Sequence, residues 1–183
     1  MKKATLILLA VLAILPAAFA RADDAPVTLL ISGGNEDSSI SVSLSPDGRE
    51  YLILSSAPLE VGGNLCTHPG EIPDELFCKA PSIGGFEVNA GGGTDVIAFN
   101  SNVPVPVTIR GGPGNDQLTG GDASDKLIGG SGHDVLIGRR GDDWMLGGPG
   151  RDKLLGGAGN DYLRGGPDRD KVVGGPGKNE LVQ

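Results

Sequence analysis

From Gly111 to Val182 the chain cuts into eight consecutive nine-residue units without insertion or deletion. They read GGPGNDQLT, GGDASDKLI, GGSGHDVLI, GRRGDDWML, GGPGRDKLL, GGAGNDYLR, GGPDRDKVV and GGPGKNELV. A short fixed period of this kind builds a stack in which each unit packs on its neighbours. The first six positions are turn formers, because glycine reaches positive φ at little cost and proline stiffens a turn. The last three make a short strand, which sends the eighth residue to one face and the seventh and ninth to the other. Two units therefore form one flattened coil with two strands and two turns. Stacked coils about 4.8 Å apart enclose the eighth-position stripe between two parallel sheets. That stripe is Leu118, Leu127, Leu136, Met145, Leu154, Leu163, Val172 and Leu181.

The sixth position carries the chemistry. Parity places Asp116, Asp134, Asp152 and Asp170 along one edge of the stack, and Asp125, Asp143, Asp161 and Asn179 along the other. Carboxylates about 5 Å apart repel by about 1 kcal/mol in water and by a few kcal/mol near a protein surface. A divalent cation between successive coils reverses that sign. Calcium accepts six to eight oxygen ligands in flexible geometry and mixes carboxylates with backbone carbonyls, whereas magnesium demands a strict octahedron. Zinc and copper favour histidine or cysteine, and the array holds only His133. Adjacent pairs give three strong calcium sites on the first edge and two on the second, with Asp161/Asn179 weakened because Asn179 is neutral. Asp95 adds one more against Asp116 if residues 99–110 (FNSNVPVPVTIR) form a single longer unit; that unit lacks an aspartate, so the second edge lacks a site at its upper end.

These units resemble the RTX nonapeptide, GGxGxDxUx with U a large apolar residue. The resemblance covers Gly111–Val182 well, extends less closely to Ala90–Ala98 (AGGGTDVIA, with Asp95 and Ile97), and says little about residues 23–89. It implies an all-β fold: a right-handed parallel β-roll, a calcium-bound solenoid over residues 90–183, with a small N-terminal β cap. Its ligands would be Asp95, Asp116, Asp125, Asp134, Asp143, Asp152, Asp161, Asp170 and Asn179. They would be joined by turn carbonyls of Gly111, Gly112, Gly114, Gly129, Gly130, Gly132, Gly147, Gly148, Gly150, Gly156, Gly157 and Gly159. Three units depart from the pattern: Ala123 and Asp168 replace the fourth-position glycine, and Arg139 the second. Asp is tolerated at positive φ, so Asp168 is the milder change. The eighth-position side chains bury too little apolar surface to offset the ordering of this many residues. The roll is therefore expected to be largely disordered without calcium and to fold on binding it.

Met1 to about Ala20 reads as an export leader: Lys2 and Lys3, an apolar run from Leu6 to Leu15, then small-residue cleavage patterns ending at Ala20 or Ala22. The apolar stretch is short for a membrane span, which needs about 20 residues, so no membrane insertion is expected after cleavage. A secreted, extracellular location follows. RTX proteins often use an uncleaved C-terminal signal, and an N-terminal leader departs from that pattern. In an exported chain Cys66 and Cys78 are expected as a disulfide; a metal site is the weaker alternative, since two sulfurs do not complete a zinc shell. Residues 23–89 carry three strand-like runs, PVTLLIS, SISVSL and EYLILS, separated by turn signals. They are read as a β cap over the first coil, with a stapled loop from Val61 to Pro81.

Glycine supplies 32 of 183 residues and aromatics 4%, which argues against an ordinary globular core. A formal charge of −8 disfavours nucleic acid and anionic lipid and attracts cations. No HExxH, GxSxG or GxxxxGK[ST] motif occurs, so no catalytic residue is assigned. The first functional expectation is a non-enzymatic secreted calcium-binding protein with a structural or surface-associated role. The alternative is an adhesion or glycan-binding module using Trp144 and Tyr162, which fall one coil apart on one outer face; a polysaccharide-modifying enzyme is third.

Overall fold

The computed structural model describes residues 27–56, 60–62, 66–67, 75–80 and 83–182. The leader expected at residues 1–20 and much of the loop expected between Val61 and Pro81 lie outside them. Among the described residues eight strands precede the nonapeptides: β1 (Val27–Ser32), β2 (Ser39–Leu44), β3 (Glu50–Ser55), β4 (Glu60–Gly62), β5 (Cys66–Thr67), β6 (Glu75–Lys79), β7 (Ile83–Asn89) and β8 (Val96–Phe99). Nine follow: β9 (Val107–Pro113), β10 (Gln117–Thr119), β11 (Lys126–Ser131), β12 (Val135–Arg140), β13 (Trp144–Leu146), β14 (Lys153–Ala158), β15 (Tyr162–Arg164), β16 (Lys171–Val173) and β17 (Glu180–Val182). No α-helix occurs among the described residues.

From β7 onward successive strands alternate between two sheets, whereas β2 and β3, and β5 and β6, share a sheet. One runs β17-β15-β13-β11-β9-β7-β1-β4, the other β16-β14-β12-β10-β8-β2-β3-β6-β5. The register follows the coil period: Gln117 lies beside Val135, Val135 beside Lys153 and Lys153 beside Lys171. On the opposite sheet Lys126, Trp144, Tyr162 and Glu180 line up in the same way. This is a parallel β-solenoid of the β-roll type. A one-residue slip would turn the apolar stripe outward, so burial of that stripe holds the register. Leu118, Leu127, Leu136, Met145, Leu154 and Leu163 are completely buried between the sheets.

β1, β2 and β3 coincide with the three apolar runs, whereas β5 and β6 form within the stretch read as a loop; β1 and β2 continue the stack. β1 pairs in parallel with β7, and β2 in parallel with β8. Among the described residues pairing turns antiparallel only where β3 meets β2 and β6, β5 meets β6, and β4 meets β1. The antiparallel layer thus covers the growing edge of each sheet, a standard defence against edge-to-edge association. Tyr51, Phe86 and Phe99 fill the interior here, with Tyr51 edge-on to Phe86 at 5.0 Å between ring centres. Cys66 and Cys78 form a disulfide joining β5 to β6. At the other end the core thins: Leu181 is 50% exposed where Leu163, one coil earlier, is fully buried.

Candidate metal centre

Each turn ends in a sixth-position residue whose side chain points back under the turn. Its Oδ1 accepts a hydrogen bond from the backbone N–H of the sixth position one coil earlier. On the first edge the bonds run Asp116 N–H to Asp134 (2.9 Å), Asp134 N–H to Asp152 (2.9 Å) and Asp152 N–H to Asp170 (2.9 Å). Upstream, Asp95 N–H donates to Asp116, and Ser38 donates both its N–H and its hydroxyl to Asp95. On the second edge the series is Asp125 to Asp143, Asp143 to Asp161 and Asp161 to Asn179. Val107 stands at the top of that edge and donates its N–H to Asp125, so no carboxylate occupies the first place. The two ladders expected from parity are therefore present, including the 21-residue step from Asp95 to Asp116.

The other oxygen is left over. Oδ2 of Asp95, Asp116, Asp134, Asp143, Asp152, Asp161 and Asp170 is buried without a hydrogen-bond partner. Such an atom loses its hydration and gains nothing in return. Six of the seven lie against the first-position glycine of their own unit, with no room there for a side chain; the Asp95 unit carries Ala90 at that position. A Cβ on Gly111 would collide with Asp116 Oδ2 and the Gly129 carbonyl; one on Gly129 would meet Asp134 Oδ2 and the Gly147 carbonyl. Gly138 and Gly156 stand in the same relation to Asp143 and Asp161 on the second edge. These first-position glycines do not have positive φ, unlike Gly112, Gly114, Gly130 and Gly132 at the second and fourth positions. In the nonapeptides from Gly111 on, the first position needs the missing side chain; the second and fourth need the left-handed backbone. Second- and fourth-position carbonyls also stack in columns, Gly112 facing Gly130, Gly130 facing Gly148, and Gly114 facing Gly132.

Residues 108–181 match the model of the RTX calcium-binding nonapeptide repeat, in the overlapping segments 108–136, 119–154 and 146–181. This segment is an RTX repeat array. No curated protein and no solved structure matched the chain.

RTX repeats bind calcium, and the donors present fit that ion. Among the described residues no three His, Cys, Asp or Glu side chains gather at one point. The donor set is instead single carboxylate oxygens beside backbone carbonyls, which is hard-oxygen chemistry. Electrostatics agree. Burial pushes the Asp143 carboxyl up to about 7, against the pull of the Asp125 N–H and aided by repulsion from Asp125 and Asp161. Burial likewise raises Asp134 to about 6, and it raises Asp116, Asp152 and Asp161. Each ladder without a counter-ion is a row of carboxylates held against its preference, and a cation relieves that directly.

Two sixth positions differ. The unit carrying Ala123 has no residue at positive φ in its turn. Its chain takes another path, which turns the Gly121 N–H onto Asp125 Oδ2 at 2.7 Å. Burial still lifts Asp125 to about 6, while the Val107 and Gly121 amides and Arg139 pull it down. Asn179 donates its side-chain amide to the carbonyl of Gly175 in its own turn. Both ends of the second edge are thus served by the protein itself, and only Asp143 and Asp161 there keep a bare oxygen.

A further ladder was not anticipated. Fifth-position side chains accept the N–H of the fifth position one coil later: Asn115 from His133, His133 Nδ1 from Arg151, Ser124 from Asp142, Asp142 from Asn160, and Asn160 from Lys178. The signal lay in an acceptor atom close to the backbone, shared by otherwise different residues. Trp144 and Tyr162 stack as their spacing suggested, nearly parallel at 6.1 Å, with the Lys126 ammonium 4.7 Å over the Trp144 ring.

Proposed function

We propose that the chain is an exported protein whose RTX roll is ordered by calcium held along its two turn edges, serving a structural or surface-associated role rather than catalysis. The observation that carries this reading is the row of buried, unpartnered Asp Oδ2 atoms beside glycine carbonyls. The ligands are the carboxylates of Asp95, Asp116, Asp134, Asp152 and Asp170 on the first edge and of Asp143 and Asp161 on the second. Four intervals on the first edge and one on the second make about five sites; Asp125 and Asn179 border the second edge and contribute less. The leader at residues 1–20 supports export, and external calcium near 10⁻⁴–10⁻³ M suits modules of this kind. Calcium-poor cytosol would then leave most of the array unfolded until it is outside the cell.

Calorimetric titration of the chelator-treated chain, followed in parallel by circular dichroism, tests this. About five calcium ions per chain, with β signal rising over the same range, are expected. An unchanged spectrum with chelator and with excess calcium would remove the reading. The adhesive alternative rests on the pair of exposed Trp144 and half-buried Tyr162. Lys126 covers one face of Trp144 and Tyr162 the other, which leaves ring edges outward, whereas sugar stacking uses a ring face. The pair packs across neighbouring strands β13 and β15. Glycan-array binding by the calcium-loaded protein that is lost in Trp144→Ala would reverse that preference.

A further inference from the structure

Arg139 occupies a position where the corresponding units carry a glycine, and it does so at φ 87°, in the left-handed region that β-carbon residues avoid. Such strain persists when the surroundings repay it. The Arg139 side chain runs back along the second edge. Its Nη1 donates to the carbonyl of Phe99 and, at 3.2 Å, to the carbonyl of Gly120. Phe99 and Gly120 are successive members of one column, because β8 and β10 pair Ala98 with Thr119 immediately before them. The next member, the Gly138 carbonyl, lies with Asp125 Oδ2 around the space that a Cβ on Gly120 would fill. In the regular turns this first-position column flanks the unpartnered carboxylate oxygens. The guanidinium therefore sits on the oxygens that border a cation place elsewhere, at the one end of the ladders where Val107 supplies no carboxylate and Asp125 already has the Gly121 N–H. The neighbouring Arg140 turns outward to Asp122 at 3.4 Å and takes no part.

We propose that Arg139 is a built-in counter-cation that closes the upper end of the second edge without calcium. This part of the roll then stays joined to the N-terminal strands when calcium is scarce, and supplies an ordered end on which the calcium-dependent coils assemble. The proposal rests on the calcium reading of the other intervals. Guanidinium suits the task because it is always charged, and its several planar donors can serve more than one carbonyl.

The test is hydrogen exchange of the full chain, with chelator and with calcium, in the wild type, Arg139→Gly and Arg139→Lys. Glycine restores the residue of the sister units and removes the backbone strain, so loss of order cannot be assigned to a poor turn. In the wild type the Val107 and Gly121 amides, both bonded to Asp125, should be protected to about the same degree in both conditions. In Arg139→Gly they should exchange at least about tenfold faster with chelator and regain protection with calcium, while Arg139→Lys, which keeps the charge but not the planar fork, should fall between the two. Unchanged protection in chelated Arg139→Gly would overturn the proposal. So would lost protection that calcium does not restore, which would mark the side chain as packing only. A wild type that binds no calcium would instead overturn the calcium reading, and this proposal with it.

Discussion

At the scale of single residues, each sixth-position aspartate has two separate tasks. One oxygen ties its coil to the coil before, and the other is left bare. Asp134→Ala removes both. It should weaken the roll by about 1.5–3 kcal/mol through the lost charged hydrogen bond from the Asp116 N–H, and should lower calcium stoichiometry by one or two, read by denaturation and calorimetry. Gly129→Ala leaves the aspartate intact but places a methyl group against Asp134 Oδ2 and the Gly147 carbonyl. It should lose the same calcium, whereas Gly34→Ala, which meets nothing within 4 Å, should not. The sixth-position ladder was legible because one residue type recurs in strict phase. The fifth-position ladder was not, since Asn, His, Ser and Asp share only an acceptor near the main chain. The self-satisfied turn at Asp125 was visible as a departure at Ala123, but a missing glycine does not announce which amide will turn inward.

At the scale of strands and coils, the period of two within each unit and of nine between units was enough to place every strand from β10 to β17. What it left open was the N-terminal region. The apolar runs of β1, β2 and β3 look alike, yet the first two join the parallel stack and the third reverses. The deciding contacts are long-range: Ser38 occupies the ladder place above Asp95, and Ile40 and Val42 sit beside Ile97 and Phe99. No local pattern encodes that. Burial also sets how much each strand matters. Leu136→Ala, in the closed interior, should cost about 2–5 kcal/mol of stability in calcium. Leu181→Ala, half exposed on β17, should change it by no more than about 0.5 kcal/mol. Chemical denaturation at saturating calcium compares them, and equal effects would mean that the last coil is packed like the others.

For the whole molecule, the buried ladders set opposite pH responses with and without the ion. In the metal-free fold the carboxyls of Asp125, Asp134 and Asp143 lie well above their ordinary value of 3.8, at about 6, about 6 and about 7. The folded state then binds more protons than the unfolded chain between those limits, so metal-free stability is greatest below about 4 and is lost as pH rises through about 7. Chelator-treated protein should gain β signal by circular dichroism when taken from pH 7.5 to about 4.5. Calcium-loaded protein should lose stability over the same interval, because the ligands must be deprotonated to hold the ion. The most direct test of the central claim is a crystal structure grown in calcium, with the ions located by their anomalous scattering. Peaks should lie between successive coils along both turn edges, each beside an Oδ2 of Asp95, Asp116, Asp134, Asp143, Asp152, Asp161 or Asp170 and the neighbouring glycine carbonyls. Empty edges under saturating calcium, or peaks elsewhere, would contradict it.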